Sequence, residues 1–267
     1  MKIPVILIHE GVLRRLKEQE LAFFEEQLVP NAVPWDDGVD GTKFQEHLCV
    51  KAETFRPHLL FDVAPHDVRQ SDRLDPRKCV ASPCGRFLYL TQTLPRGEAL
   101  SIVEGRRRGR VYFDGDVVLP VLAEVQDSET PKVVMSLAPM EVFTQREALR
   151  LAFGHVVVGG LGLGWLLTKV CALPQVKTVT VVEQSQALLQ WLGPVLRGRY
   201  PELAKVQNWL CGDVIAFLKA SPDWWSDDRC FLLDIWDKYG EASDDATFQE
   251  LKKYFKHLWG WGDLGRE

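Results

Sequence analysis

The chain has 267 residues, 46% hydrophobic and 26% charged, a globular composition that excludes a disordered chain and suits one large domain or two smaller ones. With 32 Lys+Arg against 37 Asp+Glu the net charge is −5, which argues against a general nucleic-acid binder and leaves room only for a local basic patch. No apolar run approaches the roughly 18 residues of a membrane helix, Val5-Ile6-Leu7-Ile8 is broken by His9 and Glu10, and six cysteines make no disulfide framework, so a cytoplasmic protein with reduced thiols and no membrane partner is expected.

In chain order, residues 3–8 read as a short buried strand. Residues 11–28 are helix-like, with Leu13, Leu16, Leu21, Phe24 and Leu28 near helical spacing. Residues 30–82 carry Pro, Asp, Gly and His with little periodicity, which predicts loops and short strands, and 1–83 is taken as an irregular α+β segment. Residues 84–140 are taken as a small antiparallel β domain. Its β-prone runs are Phe87-Leu88-Tyr89-Leu90, Ala99 to Val103, Arg110 to Phe113 and Val117-Val118-Leu119, and Asp114-Gly115 before Asp116 is a hairpin signal. Arg106-Arg107-Arg108 with Arg110 falls at a turn and reads first as solvated, second as a patch for phosphate or an acidic partner. His47, Cys49, His58, His66, Cys79 and Cys84 are too irregularly spaced to predict a metal site.

Residues 141–267 change pattern. A helix over 141–152 precedes a strand, His155 to Val158, and a helix opens at Trp165. Val176 to Val182, Val206 to Cys211 and Cys230 to Leu233 are further strands, followed by helices over 185–197, 213–220 and 246–258. This alternation predicts an α/β fold with a doubly wound, mainly parallel, Rossmann-like sheet. Beyond residue 258 at most one short strand fits.

Within that pattern Gly160-x-Gly162-x-Gly164 follows three valines and opens a helix, where glycine permits a sharp turn and close ligand approach. An acid ends each later strand: Glu183, Asp213 and Asp234, with Asp237 shortly after. Ligands of open α/β sheets bind outside the carboxyl ends of the strands, so these acids and the glycine turn converge on one edge. Asp213 fits a helix N-cap equally well. No Gly-x-x-x-x-Gly-Lys-Ser/Thr loop is present, which argues against a P-loop nucleotidase.

Val156 to Gly164, Val181-Val182-Glu183, Gly212-Asp213-Val214 and Leu232-Leu233-Asp234 together resemble the class I S-adenosylmethionine (SAM) methyltransferase superfamily over residues 150–258. The resemblance implies that Gly160, Gly162 and Gly164 cradle the methionine portion, Glu183 the ribose and Asp213 the adenine amino group. Within the superfamily the chain is most similar to spermidine synthases, the aminopropyltransferases. Gly109 to Gly115 looks like their Gly-x-hydrophobic-Asp-Gly strand, Gln145-Arg146-Glu147 sits at their Tyr-His-Glu helix, and Asp234-Ile235-Trp236-Asp237 matches the Asp-x-x-Asp pair that grips polyamine amines. Leu163 replaces the Asp that holds the aminopropyl amine, and Arg146 can clamp a carboxylate that SAM has and decarboxylated SAM lacks.

The expectation is a SAM-dependent methyltransferase acting on a small-molecule amine or hydroxyl, with Asp234 and Asp237 orienting the acceptor and Gln145 and Arg146 contacting SAM. The alternatives are aminopropyl transfer from decarboxylated SAM, or a degenerate non-catalytic Rossmann-like binding protein. Leu233-Asp234-Ile235-Trp236 also resembles the Leu-Asp-x-Trp segment of catechol O-methyltransferases, but only Asp263 follows near the end and no Asn follows it, so no metal is assigned. A homodimer is compatible with exposed sheet edges.

Overall fold

The valine run that marks the centre of the second half becomes the central strand of a parallel sheet. A computed structural model describes residues 18–67, 74–125, 131–220 and 228–264. The expected strand at 3–8 and the helix positions Leu13 and Leu16 lie outside these. The chain divides into two units, Met1–Thr144 and Gln145–Glu267. Among the described residues no helix is long and apolar enough to cross a membrane.

In the first unit, α1 (Glu18–Phe23) runs into a π-helical turn, Phe24–Leu28. Phe24 and Leu28 pack with Cys49, Ala99 and Tyr112, while Leu21 is exposed. Eight strands follow: β1 (His47–Val50), β2 (His66–Asp67), β3 (Cys79–Ala81), β4 (Phe87–Leu94), β5 (Leu100–Glu104), β6 (Arg107–Phe113), β7 (Val117–Glu124) and β8 (Lys132–Ser136). They form two sheets rather than the single antiparallel sheet expected. One has the order β1-β6-β5, with β1 parallel to β6. The other has the order β2-β4-β7-β8, with β3 also paired to β4. Short strands from 30–82, the stretch expected to hold loops and short strands, thus extend both sheets.

Asp114-Gly115 makes no hairpin, because β6 and β7 belong to different sheets. Instead the Asp114 carboxylate accepts the Ala52 N–H at 2.7 Å and its own N–H donates to Val50 O at 3.1 Å, fastening the turn to the end of β1. The tight hairpin is β5–β6, where Glu104 opposes Arg107 and Gly105 adopts φ +58°. The arginines lie here as expected; Arg107 pairs with Glu104 at 3.3 Å and Arg110 with Glu20 at 3.9 Å.

α2 (Pro139–Leu151) leads into the second unit. There β9 (Gly154–Gly159), α3 (Trp165–Ala172), β10 (Val176–Glu183), α4 (Gln186–Arg199), β11 (Val206–Cys211), α5 (Val214–Ala220), β12 (Arg229–Leu233), α6 (Glu241–Asp244), α7 (Ala246–Leu251) and β13 (Leu258–Gly260) alternate as the pattern predicts. All pairings are parallel and the order is β11-β10-β9-β12-β13. The chain moves outward from β9 through β10 and β11, then returns to the other side of β9. That reversal places a topological switch point between β9 and β12.

Val156, Val157 and Val158 are fully buried, which explains their unbroken apolar run: a central parallel strand is covered on both faces. Val157, Phe231 and Leu233 pack with Val214 and Leu218 of α5 and with Phe248 and Leu251 of α7. The helix expected over 246–258 ends at Leu251, and Phe255 leaves the helical path to meet Phe231 edge-on, with ring centroids 4.7 Å apart. Trp259 and Trp261 are buried in the core.

Candidate functional site

The glycine turn begins fastened to both neighbours of β9. Gly159 O accepts the Asp234 N–H at 2.8 Å, and the Gly160 N–H donates to Val182 O at 2.9 Å. Gly160 adopts φ +89°, and a Cβ there would lie 2.2 Å from the Asp234 carbonyl oxygen. At Gly164, with φ +78°, a Cβ would lie 2.6 Å from the Leu196 side chain. The chain's own backbone packing therefore demands glycine at position 160, and the left-handed backbone favours it at 164, before any ligand is considered. Gly162 also has positive φ. Leu163 is fully buried, turned into the protein where the aminopropyltransferase pattern has an acid.

Glu183, at the end of β10, is 8% exposed and braces this turn. Its Oε2 accepts the Leu161 N–H at 2.8 Å and its Oε1 accepts the Ser185 N–H at 2.7 Å. Each carboxylate oxygen keeps a second lone pair, so donor hydroxyls can still be accommodated. Ser185 is a residue the motif reading passed over. Its hydroxyl caps α4 by accepting the Leu188 N–H at 3.2 Å, and a serine just before a helical run was the available signal.

Asp213 is exposed at the end of β11. Its Oδ1 accepts from the N–H groups of Ile215 and Ala216, at 2.8 and 3.3 Å, so the helix-capping role is realised. The Gly212 N–H donates to Glu183 O at 3.0 Å, linking the two acid-bearing strand ends.

The switch point holds the most chemically distinctive pair. Asp234 is partly buried at the end of β12, and its Oδ2 accepts from Gln145 Nε2 at 2.7 Å. Removal from water pushes the Asp234 carboxyl up to about 7, so both its protonation states are accessible near neutrality. Gln145 is fully buried on α2, and the neighbouring Arg146 is 2% exposed. Asp237 is exposed, on the turn leading to α6. Between the two acids, Trp236 turns its ring to Phe248 (centroids 5.0 Å apart) and donates from Nε1 to Asp245 at 3.2 Å.

The structure therefore joins the turn, Glu183, Asp234 and Gln145 through direct hydrogen bonds, and places Asp213 beside Glu183. Among the described residues no three His, Cys, Asp or Glu side chains gather as a metal site. Comparison with protein-family models and with curated proteins gives no match to this chain.

Proposed function

We propose that the second unit is a Rossmann-like, methyltransferase-type domain that binds SAM and transfers its methyl group to a small-molecule amine or hydroxyl. The observation that carries this reading is the Asp234 carboxyl, raised to about 7 and held at the switch point beside Gly160. A carboxyl with that proton affinity, placed where open α/β sheets take ligands, is suited to receive a proton from an acceptor.

The residues fit the cofactor in chemistry. Glu183 and Asp213 present acceptor oxygens, as ribose hydroxyls and an adenine amino group require. Arg146, 2% exposed, offers the methionine carboxylate almost no surface, so the cofactor fit rests on Glu183, Asp213 and the glycine turn. Burial of Leu163 leaves an aminopropyl amine without its acid, so SAM is preferred to decarboxylated SAM. Bound SAM supplies an electrophilic methyl on a sulfonium. The protein's own part is positioning: the rigid turn fixes one partner, and Asp234 orients the acceptor and accepts its proton as the new bond forms. Asp237, exposed nearby in sequence, draws in a cationic acceptor.

Calorimetric titration of the full chain with SAM and then with decarboxylated SAM tests this. Tighter binding of SAM is expected. Tighter binding of decarboxylated SAM replaces the reading with aminopropyl transfer, and binding of neither replaces it with a non-catalytic protein.

A further inference from the structure

We infer that Gln145 is a positioning residue for the Asp234 carboxyl, serving both of its protonation states, and is not a contact for the cofactor. This rests on the reading above, in which Asp234 takes up the acceptor's proton. Three observations carry it.

Gln145 is 0% exposed, so it offers no surface to a ligand. Its Nε2 donates to Asp234 Oδ2 at 2.7 Å, across 89 positions of sequence. The Asp234 main chain is already fixed on both sides, its N–H on Gly159 O and its carbonyl oxygen against Gly160. Only the Asp234 side-chain torsions are left to settle, and the Gln145 bond settles them.

The choice of a primary amide then has a chemical consequence. A lysine or arginine in this place would only donate, and would hold Asp234 ionised. An amide donates from Nε2 to the carboxylate. After rotation about its last torsion it presents Oε1, which accepts the O–H of the protonated acid, with no change of shape. The proton leaving the acceptor's N–H or O–H therefore arrives on Asp234 with an amide acceptor within reach, and departs later to solvent. Gln145 acts through Asp234 and touches neither reactant.

The test is carbon NMR of the full chain carrying aspartate labelled at Cγ. The Asp234 signal is identified by its loss in Asp234→Asn, and followed between about pH 4 and about pH 9. In Gln145→Met the carboxylate loses a donor, and its midpoint should rise by about one pH unit, a roughly tenfold gain in proton affinity. In Gln145→Glu, which keeps length and shape and serves if the methionine variant does not fold, two carboxyls share a proton and the upper midpoint should rise further. SAM affinity by calorimetry should stay within about twofold in Gln145→Met, since a positioning residue gives the cofactor no contact. A midpoint that does not move in either variant overturns the inference. So does a loss of SAM affinity of more than about tenfold with the midpoint unmoved, which would make Gln145 a cofactor contact. If the wild-type chain binds no SAM while the midpoint still moves, the methyl-transfer reading fails and the Gln145–Asp234 coupling stands.

Discussion

Glu183 holds one backbone N–H on each carboxylate oxygen, so its side chain is part of the glycine turn before it is part of any binding site. Hydrogen bonds to an ionised carboxylate contribute roughly 1.5–3 kcal/mol each. Glu183→Ala should therefore lower the melting temperature of the chain by several degrees, read by scanning calorimetry, as well as weaken SAM binding. An unchanged melting temperature would show that the brace contributes nothing, and an unchanged SAM affinity would remove the ribose assignment.

His66 is the second residue with a consequence of its own. It is buried, with Nδ1 3.3 Å from Thr91 O and Nε2 accepting the Asp75 N–H at 3.3 Å. A carbonyl on one side and an N–H on the other fix the neutral tautomer with its proton on Nδ1, and burial lowers the imidazole below its ordinary value. The unfolded chain thus takes up this proton first as the pH falls. The stability His66 contributes is complete above the unfolded value of about 6.5 and is lost on descending from there toward the lower folded value, at up to about 1.4 kcal/mol per pH unit. His155, also lowered by burial, acts in the same direction, while Asp234, raised by burial, acts in the opposite one. The measurement is therefore a difference, urea unfolding of wild type and His66→Gln at several pH values. The wild type should lose more stability on acidification, and equal slopes would rule the effect out. Such residues show where motif reading stops. Asp213 was legible as a cap because capping is local. The Gln145–Asp234 bond was not, because its partners share no stretch of sequence.

At the scale of elements, the glycine turn allows a controlled comparison. Gly85 and Gly160 both have positive φ, at +74° and +89°. Around Gly85 nothing lies within 4 Å of a built Cβ, so Gly85→Ala carries only the left-handed backbone cost, about 1–2 kcal/mol. Gly160→Ala adds a contact of 2.2 Å with Asp234 O, so either the turn or the end of β12 must move. In scanning calorimetry Gly85→Ala should melt a few degrees below wild type, and Gly160→Ala should lose the cooperative transition of the second unit. Equal behaviour of the two would mean that the turn has room to relax. Strands β9, β10 and β12 were legible because each contains an apolar run, and β11 through its place in the alternation. Of β1, β2 and β3 only the presence of short strands within 30–82 was legible, since 4, 2 and 3 residues are too few to display a period that would place them. Asp114-Gly115 misled because a turn signal is local, whereas the strand that pairs with each flank is chosen elsewhere in the chain.

For the whole molecule, the alternating half gave its architecture through repetition, and the first half withheld its own because its sheets are assembled from distant, short pieces. The unit boundary falls at residues 144/145, inside α2, where composition offers no linker to mark it.

The strand order of the second unit also bears on how the chain refolds. β9 has β10 on one side, close in sequence, but its other partner, β12, is separated from it by α3, β10, α4, β11 and α5, so that pairing closes later. Until then one edge of a strand carrying Val156-Val157-Val158 is open to whatever extended chain is nearest, including another molecule's. Refolding from urea should therefore give a falling yield and rising light scattering as protein concentration increases, and a yield independent of concentration would contradict this. The reversal that sets the switch point of the native sheet is, in a refolding chain, an invitation to intermolecular strand pairing.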